Sequence, residues 1–147
     1  MIVALPSLRR TRSLAARVAG VLQGRELLLL SGDLGAGKTT FVSYLAKALG
    51  VPDGWVSSPS FTLVQKYPPG KAGFGMTHVD LYRLASEHDL ESLGLEEIMA
   101  SEDLVVVEWP QAGAGVWRRS GRPILRMRFV YGPDEARRVE LDFDLRG

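Results

Sequence analysis

Residues 32–39 read Gly32-Asp33-Leu34-Gly35-Ala36-Gly37-Lys38-Thr39, a complete G-x-x-x-x-G-K-[ST] pattern, and Thr40 follows directly. Each fixed position has its own physical duty. The glycines let the backbone turn tightly and bring several N–H groups to bear on a polyphosphate. Lys38 is placed to reach the β- and γ-phosphates, and the Thr39 hydroxyl to bind Mg²⁺. Such a loop binds nucleotide; hydrolysis or transfer also needs a metal partner and a positioned nucleophile. The metal candidate is Glu108, which closes the apolar run Leu104–Val107. Carboxyl ends of parallel strands converge at the ligand edge of a sheet, where the glycine loop also lies. An acid there reads either as a metal ligand, acting through water because Glu is longer than Asp, or as a solvated strand end.

Three further stretches carry chemistry-capable groups. In His78-Val79-Asp80-Leu81-Tyr82-Arg83, strand periodicity puts His78, Asp80 and Tyr82 on one face and Val79 and Leu81 on the other. That pattern fits an active-site wall and equally an edge strand facing water; one His with one Asp is too little for a zinc site. Ser57-Ser58-Pro59-Ser60-Phe61-Thr62 could sense the γ-phosphate or Mg²⁺ through Ser60, or be a capped polar turn. Trp109 follows Glu108 and reads as a nucleotide contact if exposed or as core if buried. Arg118 and Arg119 read as a solvated face sooner than as a transition-state charge.

The elements that must position these groups are legible in outline. Leu27–Leu30 is a short apolar run typical of a strand buried on both faces, so 26–31 is expected to be a core strand with 104–107 beside it. Phe41, Val42, Leu45, Ala48 and Leu49 recur at helical spacing over 39–49, and Gly50 is a natural stop. Residues 2–5 could form a first strand. Ser7 or Thr11 could cap a helix carrying Leu14, Val18, Val21 and Leu22, ending at Gly24. Strands near 61–67 and 74–81 would form a hairpin. A helix is expected over 87–99, interrupted at Gly94, and a loop over 110–115. An antiparallel pair near 122–130 and 138–144 flanks Gly132-Pro133-Asp134. The fold expected is α/β: one P-loop NTPase-like domain over 1–147, a central parallel sheet with flanking antiparallel strands.

Bulk properties narrow the classes. An apolar fraction of 46% and a charged fraction of 24% are those of a soluble globular protein, and no stretch is long enough to span a membrane. Arg9, Arg10 and Arg12 are followed by no long apolar core, which argues against a signal peptide. The absence of cysteine excludes disulfide and thiolate chemistry and fits the cytoplasm. A net charge of +1 gives no field for autonomous nucleic-acid binding.

Taken in order, Gly-Asp-Leu-Gly-Ala-Gly-Lys-Thr-Thr, Ser-Pro-Ser-Phe-Thr-Leu-Val, His-Val-Asp-Leu-Tyr-Arg-Leu and Val-Glu-Trp-Pro resemble the bacterial TsaE family, over roughly residues 7 to 130. The resemblance implies an ATPase of tRNA threonylcarbamoyladenosine biosynthesis, weak alone and activated by TsaB- and TsaD-type partners. Those partners transfer a threonylcarbamoyl group to adenosine 37 of tRNAs reading codons that begin with A, and tRNA would be met through the complex. Carried over, Lys38 and Thr39 would hold ATP or ADP and Mg²⁺, and Glu108 the metal. Ser58, Pro59 and Ser60 would form a switch. His78, Asp80, Tyr82 and Arg83 would form a signature strand end, with Asp80 orienting water or metal. Trp109 would sit by the nucleotide and Thr11 near the base. The family's switch usually reads Ser-Pro-Thr, whereas this chain has Ser60, which keeps the hydroxyl and loses a methyl. Two other classes stay open: a P-loop kinase of a small metabolite or nucleoside, and a nucleotide-gated binding module with negligible catalysis.

Overall fold

Two apolar runs, Leu27–Leu30 and Leu104–Val107, are buried on both faces and lie side by side as parallel strands at the middle of one sheet. The computed structural model describes residues 1–51, 64–82, 90, 93–132 and 136–145. In chain order the elements are β1 (Ile2–Ala4), α1 (Leu8–Val21), β2 (Leu27–Gly32), α2 (Lys38–Ala48), β3 (Val64–Tyr67), β4 (Met76–Asp80), α3 (Leu95–Ala100), β5 (Leu104–Glu108), α4 (Ala114–Arg119), β6 (Ile124–Tyr131) and β7 (Arg137–Leu141). The seven strands form one sheet in the order β1-β7-β6-β2-β5-β4-β3. Strands β6, β2, β5 and β4 run parallel, β7 and β3 are added antiparallel on either side of them, and β1 lies outermost, antiparallel to β7. The mixed α/β sheet expected from the sequence is therefore the one observed.

Strand alternation divides the core into two layers. Leu28, Leu30, Val106, Met127 and Phe129 point to the face covered by α1 and α2. Leu27, Leu29, Val79, Val105 and Val107 point to the opposite face, which carries α3 and Trp117 of α4. Helix α1 begins where Ser7 accepts a hydrogen bond from the Arg10 N–H at 3.3 Å, the standard side-chain cap. One expectation fails. The segment from Pro110 is a 3₁₀ turn over Pro110–Gly113 that runs straight into α4, where a loop was expected. Trp117 holds it there: the indole is buried and its Nε1–H donates to the Pro110 carbonyl at 2.8 Å.

The register fixes where the parallel strands end. Leu30 stands opposite Glu108, and Glu108 opposite Asp80, so one row crosses β2, β5 and β4 at their carboxyl ends. Strand β2 continues two residues farther, to Gly32, paired with Phe129. At Gly32 a Cβ would collide with the Phe129 carbonyl oxygen, and φ is +129°. Only glycine fits there. Gly37, at φ +108°, then caps the start of α2 in the left-handed region.

Candidate functional site

The row that ends at Asp80 and Glu108 and the loop that starts at Gly32 open into one pocket. Leu34, Gly35, Gly37, Lys38, Thr39 and Thr40 line it from the loop side. Asp80, Tyr82, Glu108 and Trp109 line it from β4 and β5. Gly32 and Asp33 contribute carbonyls beneath it, and Ala36 is packed into the core. Thus the loop residues expected from the sequence gather around one space, together with Asp80, Glu108 and Trp109.

Lys38 lies folded onto its own loop. Its Nζ donates to the Gly32 carbonyl at 2.6 Å and to the Asp33 carbonyl at 3.0 Å, and stands 4.0 Å from the centre of the Trp109 ring. An ammonium has three donors, so two carbonyls and an aromatic face satisfy it without a formal counter-ion contact. Burial lowers the Lys38 pKa, and the nearby carboxylates of Glu108, Asp33 and Asp80 oppose that shift.

The exposed Thr39 sits in the first turn of α2, and its Oγ1 donates to Oε1 of Glu108 at 2.9 Å. With the proton committed to the carboxylate, the hydroxyl's lone pairs remain as acceptors. Oxygen donors alone suit a hard cation such as Mg²⁺, and two protein oxygens leave its other positions to phosphate and water. The donor set therefore fits the metal that the motif implies. Glu108 is buried, and its second oxygen, Oε2, lies 2.6 Å from Nε2 of His78.

His78 and Asp80 share a face, as strand periodicity requires, but the edge-strand alternative fails. Strand β4 has neighbours on both sides, and His78 is buried. Asp80 is only partly covered. Its Oδ1 accepts from the Tyr82 N–H at 2.9 Å, and burial raises its pKa, Glu108 adding to the rise while the Tyr82 N–H, His78 and Lys38 resist it. Tyr82 is exposed, its ring 4.9 Å from that of Trp109. Trp109 has φ +58°, a left-handed conformation uncommon outside glycine, Asn and Asp, and its N–H donates to the Leu30 carbonyl. That backbone turns the indole over Lys38. It packs partly on the core and partly lines the pocket, so it is neither fully exposed nor fully buried.

Some expected residues lie apart. Thr11 lines a neighbouring cleft with Ser7, Tyr131 and Arg137, and its hydroxyl donates back to the Ser7 carbonyl at 3.4 Å. Arg118 and Arg119 are in the last turn of α4 and do not line the loop pocket. Ser58, Pro59, Ser60 and Arg83 lie outside the described residues. Two groups went unforeseen. The Tyr131 hydroxyl donates to the Gly35 carbonyl, and Arg137, 3.1 Å from that hydroxyl and stacked on its ring, lines both clefts. No short motif marks them; the β6–β2 pairing brings Tyr131 to the loop, and the β7–β6 pairing sets Arg137 beside it.

Comparison with known proteins shows the family and the fold. Residues 5–139 match the family described as Threonylcarbamoyl adenosine biosynthesis protein TsaE. The protein so named from Streptomyces coelicolor is 42% identical over 99 residues, 67% of this chain and 66% of that one, so the match spans just under two thirds of that relative. The Aquifex aeolicus protein of the same name is 43% identical over 110 residues, covering 74% of this chain and 76% of its own. That from Haemophilus influenzae is 37% identical over 115 residues, covering 78% and 68%. In three dimensions the crystal structure of Bacillus subtilis YdiB shares the fold, with a TM-score of 0.71 and 24% identity over 96% of this chain and 83% of that one.

Proposed function

Because this chain belongs to the TsaE family of threonylcarbamoyl adenosine biosynthesis proteins, we propose that it binds and hydrolyses Mg-ATP in support of threonylcarbamoyl modification of adenosine 37 in tRNA. The observation that carries the nucleotide reading is the contact between Thr39 Oγ1 and Glu108 Oε1, set beside Lys38 at the end of the parallel strands. Backbone N–H groups of residues 34–39 cradle the phosphates. Lys38 exchanges two neutral carbonyls for charged phosphate oxygens, which are the stronger acceptors. Thr39 and Glu108 would hold Mg²⁺, which would supply positive charge against the phosphates. Asp80, with its pKa raised by burial, orients the attacking water and takes its proton. Trp109 and Tyr82 close the mouth of the pocket beside the nucleotide.

Activation by TsaB- and TsaD-type partners, with tRNA met through their complex, is part of the same proposal. ATP turnover measured with and without the partner pair and tRNA tests it. Slow turnover alone and a rise of at least about tenfold in the full mixture is expected. A rate that neither partners nor tRNA changes overturns the partner-controlled reading. Transfer of the γ-phosphate label to a small acceptor would make the protein a kinase. If Asp80→Ala and Glu108→Ala leave reconstituted tRNA modification intact, it is a binding module.

A further inference from the structure

His78 takes no part in the roles assigned above, yet it is among the most buried polar side chains and contacts the metal candidate. On the parallel β4–β5 pair, His78 and Glu108 project to the same face, two register positions apart. Their side chains are 2% and 3% exposed, and Nε2 lies 2.6 Å from Oε2. The carboxylate is thus gripped at both oxygens, by His78 at Oε2 and by Thr39 at Oε1. Nδ1 is buried and has no hydrogen-bond partner among the described residues. A proton on Nδ1 would be a buried donor without an acceptor, so the satisfied arrangement carries the proton on Nε2 and donates it to Glu108.

We infer that His78 is a positioning residue: its Nε2–H holds the Glu108 carboxylate at the one rotation that presents Oε1 to Thr39 and the cation. Glu has one more rotatable bond than Asp, and a longer acid needs a second hold to be equally well fixed. A partner of this kind tunes metal affinity, commonly by 10- to 100-fold, without touching the metal. The role rests on the nucleotide and metal reading proposed above. It separates two quantities that a general structural role would move together, affinity for nucleotide and affinity for the divalent ion.

The test uses two amides of different reach. The side-chain nitrogen of Gln lies near the place of Nε2, whereas that of Asn lies near Nδ1 and falls short of Glu108. For wild type, His78→Gln and His78→Asn, ADP affinity is measured in EDTA, and Mn²⁺ affinity of the ADP complex by electron paramagnetic resonance. His78→Asn is expected to keep ADP affinity in EDTA within about twofold and to lose about 10-fold or more in Mn²⁺ affinity. His78→Gln is expected to stay within about threefold of wild type in both. Equal Mn²⁺ affinity in wild type and His78→Asn overturns the inference, as does a loss in His78→Gln as large as that in His78→Asn. A parallel fall of ADP affinity in EDTA makes His78 a packing residue and overturns it too. Should His78→Asn not fold, His78→Phe replaces it as the variant without the donor. Wild-type protein that binds no ADP, or binds it without any effect of Mn²⁺, sinks the site reading itself.

Discussion

Lys38 and Arg122 are buried cations at opposite ends of the same sheet, and both rest on main-chain carbonyls. Arg122 precedes β6, and its guanidinium donates to the carbonyls of Arg25, Glu26, Ile98, Met99, Ser101 and Asp103. These are the last turn of α3 and the entries to β2 and β5, so one planar fork ties three elements at the amino ends of the strands. Lys38 has two carbonyls and an aromatic ring, all within its own loop or beside it. Burial lowers the pKa of both. The difference lies in what is left over. Five rigid donors matched to fixed carbonyls make an anchor. Three donors on a flexible stem, facing a pocket rimmed by Asp80 and Glu108, make a charge available for exchange. The same expensive feature serves the fold at one edge and, under the proposed function, the ligand at the other.

The contrast can be broken most forcefully at the anchor. Arg122→Ala should cost about 3–5 kcal/mol of stability in chemical denaturation, because it strands several buried carbonyls at once. Arg122→Lys should recover less than half of that, since one ammonium cannot replace the fork. A loss below about 1 kcal/mol would show that water satisfies those carbonyls and that Arg122 is no anchor. Lys38→Ala should do the reverse. ADP affinity is expected to fall at least about 100-fold by calorimetry, while the denaturation midpoint of the ligand-free protein holds or rises. Unchanged ADP affinity would remove Lys38 from the site.

The smallest effect is the sharpest about cause. Asp80 has a pKa raised in the fold, chiefly by burial, so its charge opposes folding at pH values above that raised pKa. That cost disappears as pH falls through the raised pKa towards the ordinary Asp value of about 3.9. Asp80→Asn keeps an acceptor for the Tyr82 N–H and removes the charge. Ligand-free Asp80→Asn should therefore melt about 1–3 °C above wild type near pH 8, with the gap closing as the solution is acidified. A gap that ignores pH would mean that charge burial is not its origin.

What could be read from the sequence divides along local and non-local lines. The glycine loop, the two apolar runs, the Ser7 cap and the β3–β4 hairpin are written in contiguous residues whose types and spacing have one cheap solution. The grip of His78 on Glu108 is not, because it depends on the register of β4 against β5 rather than on either stretch alone. Arg122 sits in Gly-Arg-Pro and looks like any exposed loop arginine until the carbonyls around it are assembled. Helix α4 was hidden by Gly113 and Gly115, poor helix formers. It exists because the Trp117 indole packs on Gly113 and reaches back to Pro110. Tyr131 and Arg137, like His78 and Arg122, depend on a non-local contact, being about a hundred residues from the loop they adjoin.

That separation also has a consequence in time. The loop 32–39 is synthesised well before residues 124–131, yet those later residues supply the strand that fits against Gly32 and the hydroxyl that fastens Gly35, and β7 then covers β6. A nascent chain therefore carries the complete motif long before it can hold it in shape. Until β6 and β7 leave the ribosome, the growing polypeptide has the residues of the pocket without the pocket.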